Sequence, residues 1–445
     1  MLRTIIKREI LEYLKSAKFL IGLGITLALA AGSTVINVQD YKARLQDYQA
    51  ALQEMKSDRF YIHLYRPPQV LSTLIQGKDR KLGNSITVTY LGIPSTTSGY
   101  MGEGRSQHNR LVSGFAAVDF AFVVRVVLSL LVIFIAYNAV SEEKASGTLK
   151  LVLSNRVPRD QLLLGKFLGG WFVIMGSLLV SALVSLIIVL SHSFIAFASG
   201  EWTRLLAFIG LSAVTLTVFY AISLFVSVLV NRPSISLMIL LQAWVFLIVI
   251  YPNLGVIAAE NLTKLPSQEQ LGGQKAAAFQ PYEAEQKKIQ EAFSQAVRTG
   301  GDLSKELGVR NVEIWARRAE LEHQVDEEFG RKLTAQTNLA RAISSLSPAV
   351  LYDQAAERLG RTGLAEYERF MREVYRCWQQ DVERSKLRYS DIAACKKAPP
   401  IDFRVPVETS AEALAATWLD WLLLASFGLA FFALAYAAFL RKDVR

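Results

Sequence analysis

Six stretches of almost unbroken apolar residues, at about 17–38, 118–140, 167–191, 205–230, 234–251 and 415–440, stand apart from an otherwise polar chain. Each comes close to or exceeds the roughly 20 residues that a helix needs to cross a hydrocarbon core about 30 Å thick. In lipid the backbone polar groups must be satisfied within the segment, which a helix does. The pattern therefore predicts six membrane-spanning helices and a mainly α, polytopic membrane protein. Two long polar stretches remain, 39–117 and 252–414, each long enough to fold outside the membrane. The other connections are short.

Periodicity continues inside the polar stretches. DYKARLQDYQAALQEMK sets Tyr41, Leu45, Tyr48 and Leu52 at three- and four-residue spacing, so the first span is expected to run on as an amphipathic helix. After it come Pro67-Pro68, a β-prone SITVTYL and the turn-rich loop GIPSTTSGYMGEG. In the second stretch Ile289, Phe293 and Val297 share one helical face, and Ile314, Leu321, Val325 and Phe329 share another. Such faces need partners, so the two stretches are expected to pack into one mostly helical domain built from two insertions.

Composition agrees with lipid as part of the solvent, with 52% hydrophobic and 20% charged residues. The net charge of +10 does not indicate a nucleic-acid partner, because the Lys and Arg form no basic stripe interleaved with aromatics. Their placement indicates orientation instead. Arg3, Lys7, Arg8, Lys15 and Lys18 precede the first span, and Arg441, Lys442 and Arg445 follow the last. Lys144, Lys150, Arg156, Arg159 and Lys166 lie between the second and third spans. Positive residues in short loops mark the cytoplasmic side, and long translocated segments are largely exempt from that rule. The expected arrangement is a bacterial inner-membrane protein with both termini and residues 141–166 in the cytoplasm. Its segments are then 1–38, 39–117, 118–251, 252–414 and 415–445, with the second and fourth outside.

The basic start and the small residues Ala28-Leu29-Ala30 resemble a signal peptide, but the apolar run continues through Val38 and favours an uncleaved anchor. Cys377 and Cys395, the only cysteines, fall in the outer region, where oxidising conditions favour a disulfide. Such a bridge would contribute roughly 3 kcal/mol in the chain-entropy picture. The alternative is a pair of partly buried thiols.

The most informative stretch is AYNAVSEEKASGTLKLVLSNRVPRDQLLLGKFLGGW, from Ala136 to Trp171. Leu149, Leu151, Val152 and Leu153 are apolar yet lie outside the predicted spans, so a helix carrying them needs a protein or membrane surface. Pro158 marks a turn or a helix start. The order of Glu142, Glu143, Gly147, Thr148, Leu149, Pro158, Arg159, Gly165 and Lys166 between two spans resembles the signature of ABC-2 type exporter permeases. The large insertions are similar to the branch annotated near gliding-motility and copper-enzyme maturation permeases, as is, less specifically, SPAVLYDQAAERLGRTGLAEYERF at 347–370. The resemblance implies a homodimer, or a pair with a close homologue, working with two copies of a cytoplasmic ABC ATPase. Residues 141–166 would be the coupling helix region, and ATP and Mg would be bound by the partner. A further partner on the outer side is compatible with the insertions.

This chain has no GxxxxGK[ST] phosphate-binding loop, since Gly165-Lys166 is followed by Phe167 and lacks the earlier glycine. His63, His108, His192 and His323 do not cluster at metal-ligand spacing, and no catalytic, cofactor-binding or metal site is expected. Charges inside spans usually face protein or a cavity, which makes Asp119 and Arg125 candidates for a substrate pathway. Snorkelling or a structural pair is the alternative for Arg125. A different function class remains compatible with the same features: an envelope receptor or scaffold that binds a partner through its outer domain without ATP.

Overall fold

The structure, a computed structural model, describes residues 2–54, 62–79, 82, 85–93, 101–102, 118–154, 158–299, 303–399, 401 and 403–441. Arg156, Lys442, Arg445, His108 and most of the turn-rich loop lie outside these residues. The chain begins with α1 (Leu2–Lys15) and α2 (Ala17–Glu54), then β1 (Ile62–Tyr65), a 3-10 turn at Val70–Thr73, β2 (Ser85–Val88) and β3 (Met101–Gly102). Helix α3 covers residues 120–136, passing through a π turn at Val123–Leu128. Two short helices follow, α4 (Ser141–Ala145) and α5 (Thr148–Ser154), and then α6 (Arg159–Leu190) and α7 (Ser199–Leu229). Helix α8 (Pro233–Leu262) carries a second π turn at Phe246–Ile250. The second polar stretch holds α9 (Gln268–Phe279), α10 (Glu283–Thr299), α11 (Leu303–Ser344), α12 (Pro348–Gly360), α13 (Leu364–Ser390) and α14 (Ile392–Lys397), and α15 (Ser410–Arg441) ends the chain.

Among the described residues, six helices are long and apolar enough to cross a membrane: α2, α6, α7, α8, α15 and the helix that begins at Phe120. They coincide with the six apolar runs but extend past several of them. Thirty-eight residues in α2 make about 57 Å of helix, nearly twice a hydrocarbon core. Its polar end therefore emerges. There Tyr41 and Ala51 are buried while Leu52 is 39% exposed, so the buried face is rotated slightly from the predicted stripe. Arg44 sits on that face because Asp40, Asp79 and Ser72 satisfy it.

Both insertions lie at one end of the bundle and share an apolar core. β1, β2 and β3 form an antiparallel sheet with Ile62 opposite Val88. Its inward residues Leu64, Ile86 and Val88 pack with Val312 of α11 and with Phe370, Val374, Cys377 and Trp378 of α13. Helix α11, 42 residues and about 63 Å long, is the spine on which α8, α9, α10 and α13 lie. On α10 the buried side runs through Gln286 and Ala296, and Val297 of the predicted face is 58% exposed.

The expected disulfide is not formed. Cys377 and Cys395 are both buried as separate thiols, and Cys395 Sγ donates to the Arg384 carbonyl at 3.7 Å. Arg384 lies about 10 Å along α13 from Cys377 at the helical rise. A disulfide needs Cα atoms only about 4.4–6.8 Å apart, which this fold-back of α14 does not provide.

Candidate functional site

At the end of the bundle opposite the insertions, α3 stops after residue 136. A turn then leads into α4, where the Ser227 hydroxyl of α7 accepts from the backbone N–H of Val140 and Ser141 at 3.1 Å each. Lys144 reaches back to the last carbonyls of α7, donating to Val228, to Val230 at 3.2 Å and to Ser227 at 3.4 Å. A cation there also suits the negative end of the helix dipole. Sequence reading had counted Lys144 only toward orientation.

Gly147 joins α4 to α5 with φ +75°, a left-handed conformation that a Cβ would strain. The turn sends Leu149 inward, 4% exposed, against Ala139, Val140, Leu162, Leu163, Leu224, Val228 and Phe439. Leu151 points the other way and is 66% exposed. The apolar residues of α5 thus divide: Leu149 anchors the segment to its own chain, and Leu151 remains on the surface. Glu142 and Thr148 are exposed, and Asn138 donates to Glu142 at 2.5 Å. Thr148 is held by Ser146 at 2.9 Å.

Pro158 precedes α6 with extended backbone, and Arg159 donates to the carbonyl of Leu440 near the end of α15 at 3.1 Å. About two turns further on, Lys166 is 4% exposed and forms ion pairs of 2.8 Å with Glu143 of α4 and with Glu9 of α1. Tyr220 of α7 donates to the Lys166 carbonyl at 2.9 Å. Helix α1 can come this close because α6 carries glycines on the facing side. A Cβ on Gly165 would lie 2.6 Å from Ile5, and one on Gly169 would lie 2.6 Å from Glu9.

One buried ammonium therefore ties together the amino-terminal helix, the segment after α3 and the start of α6. Glu9 was not singled out from sequence. The basic amphipathic helix carries two acidic residues, Glu9 and Glu12, and the sequence pattern does not say which of them is buried.

Arg125 and Asp119 lie at the insertion end, and the structure gives them different duties. Asp119 caps α3, its carboxylate accepting from the N–H of Phe122 at 2.7 Å and of Gln76 at 2.6 Å. Arg125 sits in the π turn and pairs with Asp353 of α12, with Phe122 under its guanidinium at 5.7 Å. Lys78 pairs with Glu357, one turn along α12 from Asp353, at 3.1 Å. These groups line a cavity of about 300 Å³.

A second joint here was not foreseen. Arg204, at the start of α7 and 2% exposed, donates to the carbonyls of Leu359 at 3.2 Å, Glu408 at 2.6 Å and Thr409 at 2.9 Å. The Glu408 carboxylate is shared by Arg358 at 2.5 Å and Arg369 at 2.8 Å. Arg204 could have been noticed as a charge at the edge of an apolar run. Glu408 had no such signal.

Among the described residues no group of His, Cys, Asp and Glu is placed to hold a metal ion. The family described as ABC-2 family transporter protein matches residues 3–444. A comparison with curated proteins finds no match.

Proposed function

Since the chain belongs to the ABC-2 family of transporter proteins and is the membrane subunit of an ABC transporter, we propose that it is an exporter permease driven by a separate ATPase docked on residues 141–166. In this reading the docking segment and both termini are cytoplasmic and the insertions stand outside a bacterial inner membrane. Two copies of the chain, or one with a close homologue, work with two ATPase subunits that bind ATP and Mg.

The observation that carries the reading is the junction at Lys166. A docking surface transmits movement only if it is rigidly joined to the spans, and a buried Lys shared by two carboxylates makes such a joint. Removing one member of a buried pair costs on the order of 3–5 kcal/mol, so Glu143 cannot move far without taking α6 and α1 with it. Leu149 fixes α5 from within, Gly147 sets its angle, and Leu151 is the apolar contact left for a partner. When the ATPase pair closes on ATP, the segment is pushed, and α3 and α6, continuous with its two ends, move with it.

The test is recruitment of an ATPase encoded beside this chain, co-expressed and purified in detergent. The parent is expected to carry the ATPase and stimulate it. Leu151→Asp, a surface change, should lose the ATPase while keeping the parent's thermal stability. Lys166→Met combined with Glu9→Gln and Glu143→Gln, which removes all three charges together, should keep recruitment but lose most of the stimulation. A parent that recruits nothing, or a Leu151→Asp variant that recruits and stimulates fully, overturns the reading.

A further inference from the structure

The two π turns found among the described residues touch the same helix. The π turn of α3 contains Arg125, and the π turn of α8 contains Leu247. Helix α12 meets both from its first turn and a half. Ser347 occupies the position that would cap α12, yet its hydroxyl does not bond to the N–H groups of its own helix. It donates instead to the carbonyl of Leu247 at 2.6 Å. Asp353 takes the guanidinium of Arg125.

The two π turns are also linked through the residues that flank them. Trp244, just before the π turn of α8, donates from Nε1 to the Ser129 hydroxyl at 2.9 Å, and that hydroxyl lies on the Arg125 and Val126 carbonyls of α3. A π turn departs from the regular ladder and leaves carbonyls open to side-chain donors. It is a local irregularity of an otherwise continuous helix.

Helix α12 is well placed to act as a fixed reference. Tyr352 is fully buried, its ring 6.2 Å from that of Phe208 and its hydroxyl 3.2 Å from that of Ser212, both on α7. Arg204 holds the last carbonyls of the helix. The Arg125–Asp353 pair is different, with about a third of each side chain exposed beside the 300 Å³ cavity. One contact is held firmly and the other can let go into free space.

We propose that α12 is a clamp holding the π turns of α3 and α8 in register, and that the π turn of α3 shifts when Arg125 leaves Asp353. Helix α3 runs from this turn to the docking segment. The clamp is then the point where a push on that segment meets the insertion domain, a link that rests on the docking reading above. The clamp itself needs no ATPase, so it is tested on the permease alone.

Backbone hydrogen exchange of the full chain in lipid nanodiscs, read by mass spectrometry, is the measurement. Asp353→Asn should speed exchange at residues 123–129 roughly tenfold, as expected when a local opening loses one of its restraints. Ser347→Ala should do the same at 246–250. Exchange in α7 should match the parent in both, and exchanging the charges with Arg125→Asp and Asp353→Arg should restore the slow rate at 123–129. Unchanged exchange at 123–129 in Asp353→Asn overturns the clamp. So does an equal rise in α7, which would make the pair a general stabiliser of the bundle.

Discussion

Asp381 lies in the core of the insertion domain, 3% exposed, where it accepts from the Tyr90 N–H and has Arg388 and Arg384 nearby. Burial raises its carboxyl from the ordinary 3.8 to about 6, the two arginines opposing the rise only in part. A folded-state value above the unfolded one means that the protonated form favours folding. Its contribution is complete below about pH 4 and is lost as pH rises through about 6. Asp381→Asn keeps an acceptor for Tyr90 and removes the titration. It should therefore raise stability at pH 8 by up to about 3 kcal/mol and change little at pH 4, in thermal unfolding of the detergent-solubilised protein at both pH values. The residue scale is also where sequence reading was weakest. Arg125 and Asp119 stood out as charges in an apolar run, but that one caps a helix and the other meets α12 depends on which chain atoms surround them. Glu9, Lys144, Arg204 and Glu408 lie in polar or boundary positions where a charge is unremarked until its partner, often more than a hundred residues away, is seen.

Among the elements, the segment after α3 shows how a short pattern can be legible in outline and ambiguous in detail. Pattern and spacing located a helix with apolar residues outside lipid, and the resemblance supplied a coupling role for it. Which of those residues serve the chain and which face away depends on the angle at Gly147, and the two residues of turn, Ser146 and Gly147, are enough to rotate the whole face. Leu149→Ala should cost on the order of 2–4 kcal/mol, the usual range for a buried leucine. Leu151→Ser should stay within about 0.5 kcal/mol, as surface changes do. Thermal unfolding of both variants against the parent checks the assignment, and equal losses would contradict it. The insertion helices follow the same rule. α10 appears where its periodicity put it, yet its buried side passes through Gln286 and Ala296 and leaves out Val297, because α11 approaches from that direction.

For the molecule as a whole, the attachment of the insertion domain to the bundle matters most. Arg204 donates to carbonyls at the end of α12 and at the start of the approach to α15, so one side chain secures three chain segments. Arg204→Met leaves those carbonyls buried without a donor and removes a cation from beside Glu408. A loss of about 3–5 kcal/mol is expected, as for other broken buried charge pairs, and unfolding should separate into two transitions because the insertion domain loosens from the spans before the bundle melts. Calorimetry in nanodiscs would show it, and a single transition at the parent temperature would show that the joint carries no such load. Six spans, the helical insertions and the family were all open to sequence reading, because hydropathy over about 20 residues reports directly on the choice between lipid and water. The tertiary structure alone decided the three charged joints, the two π turns under α12 and the separation of the cysteines, because each depends on groups distant in sequence meeting at one point, and a linear pattern of polar and apolar positions holds no record of such meetings.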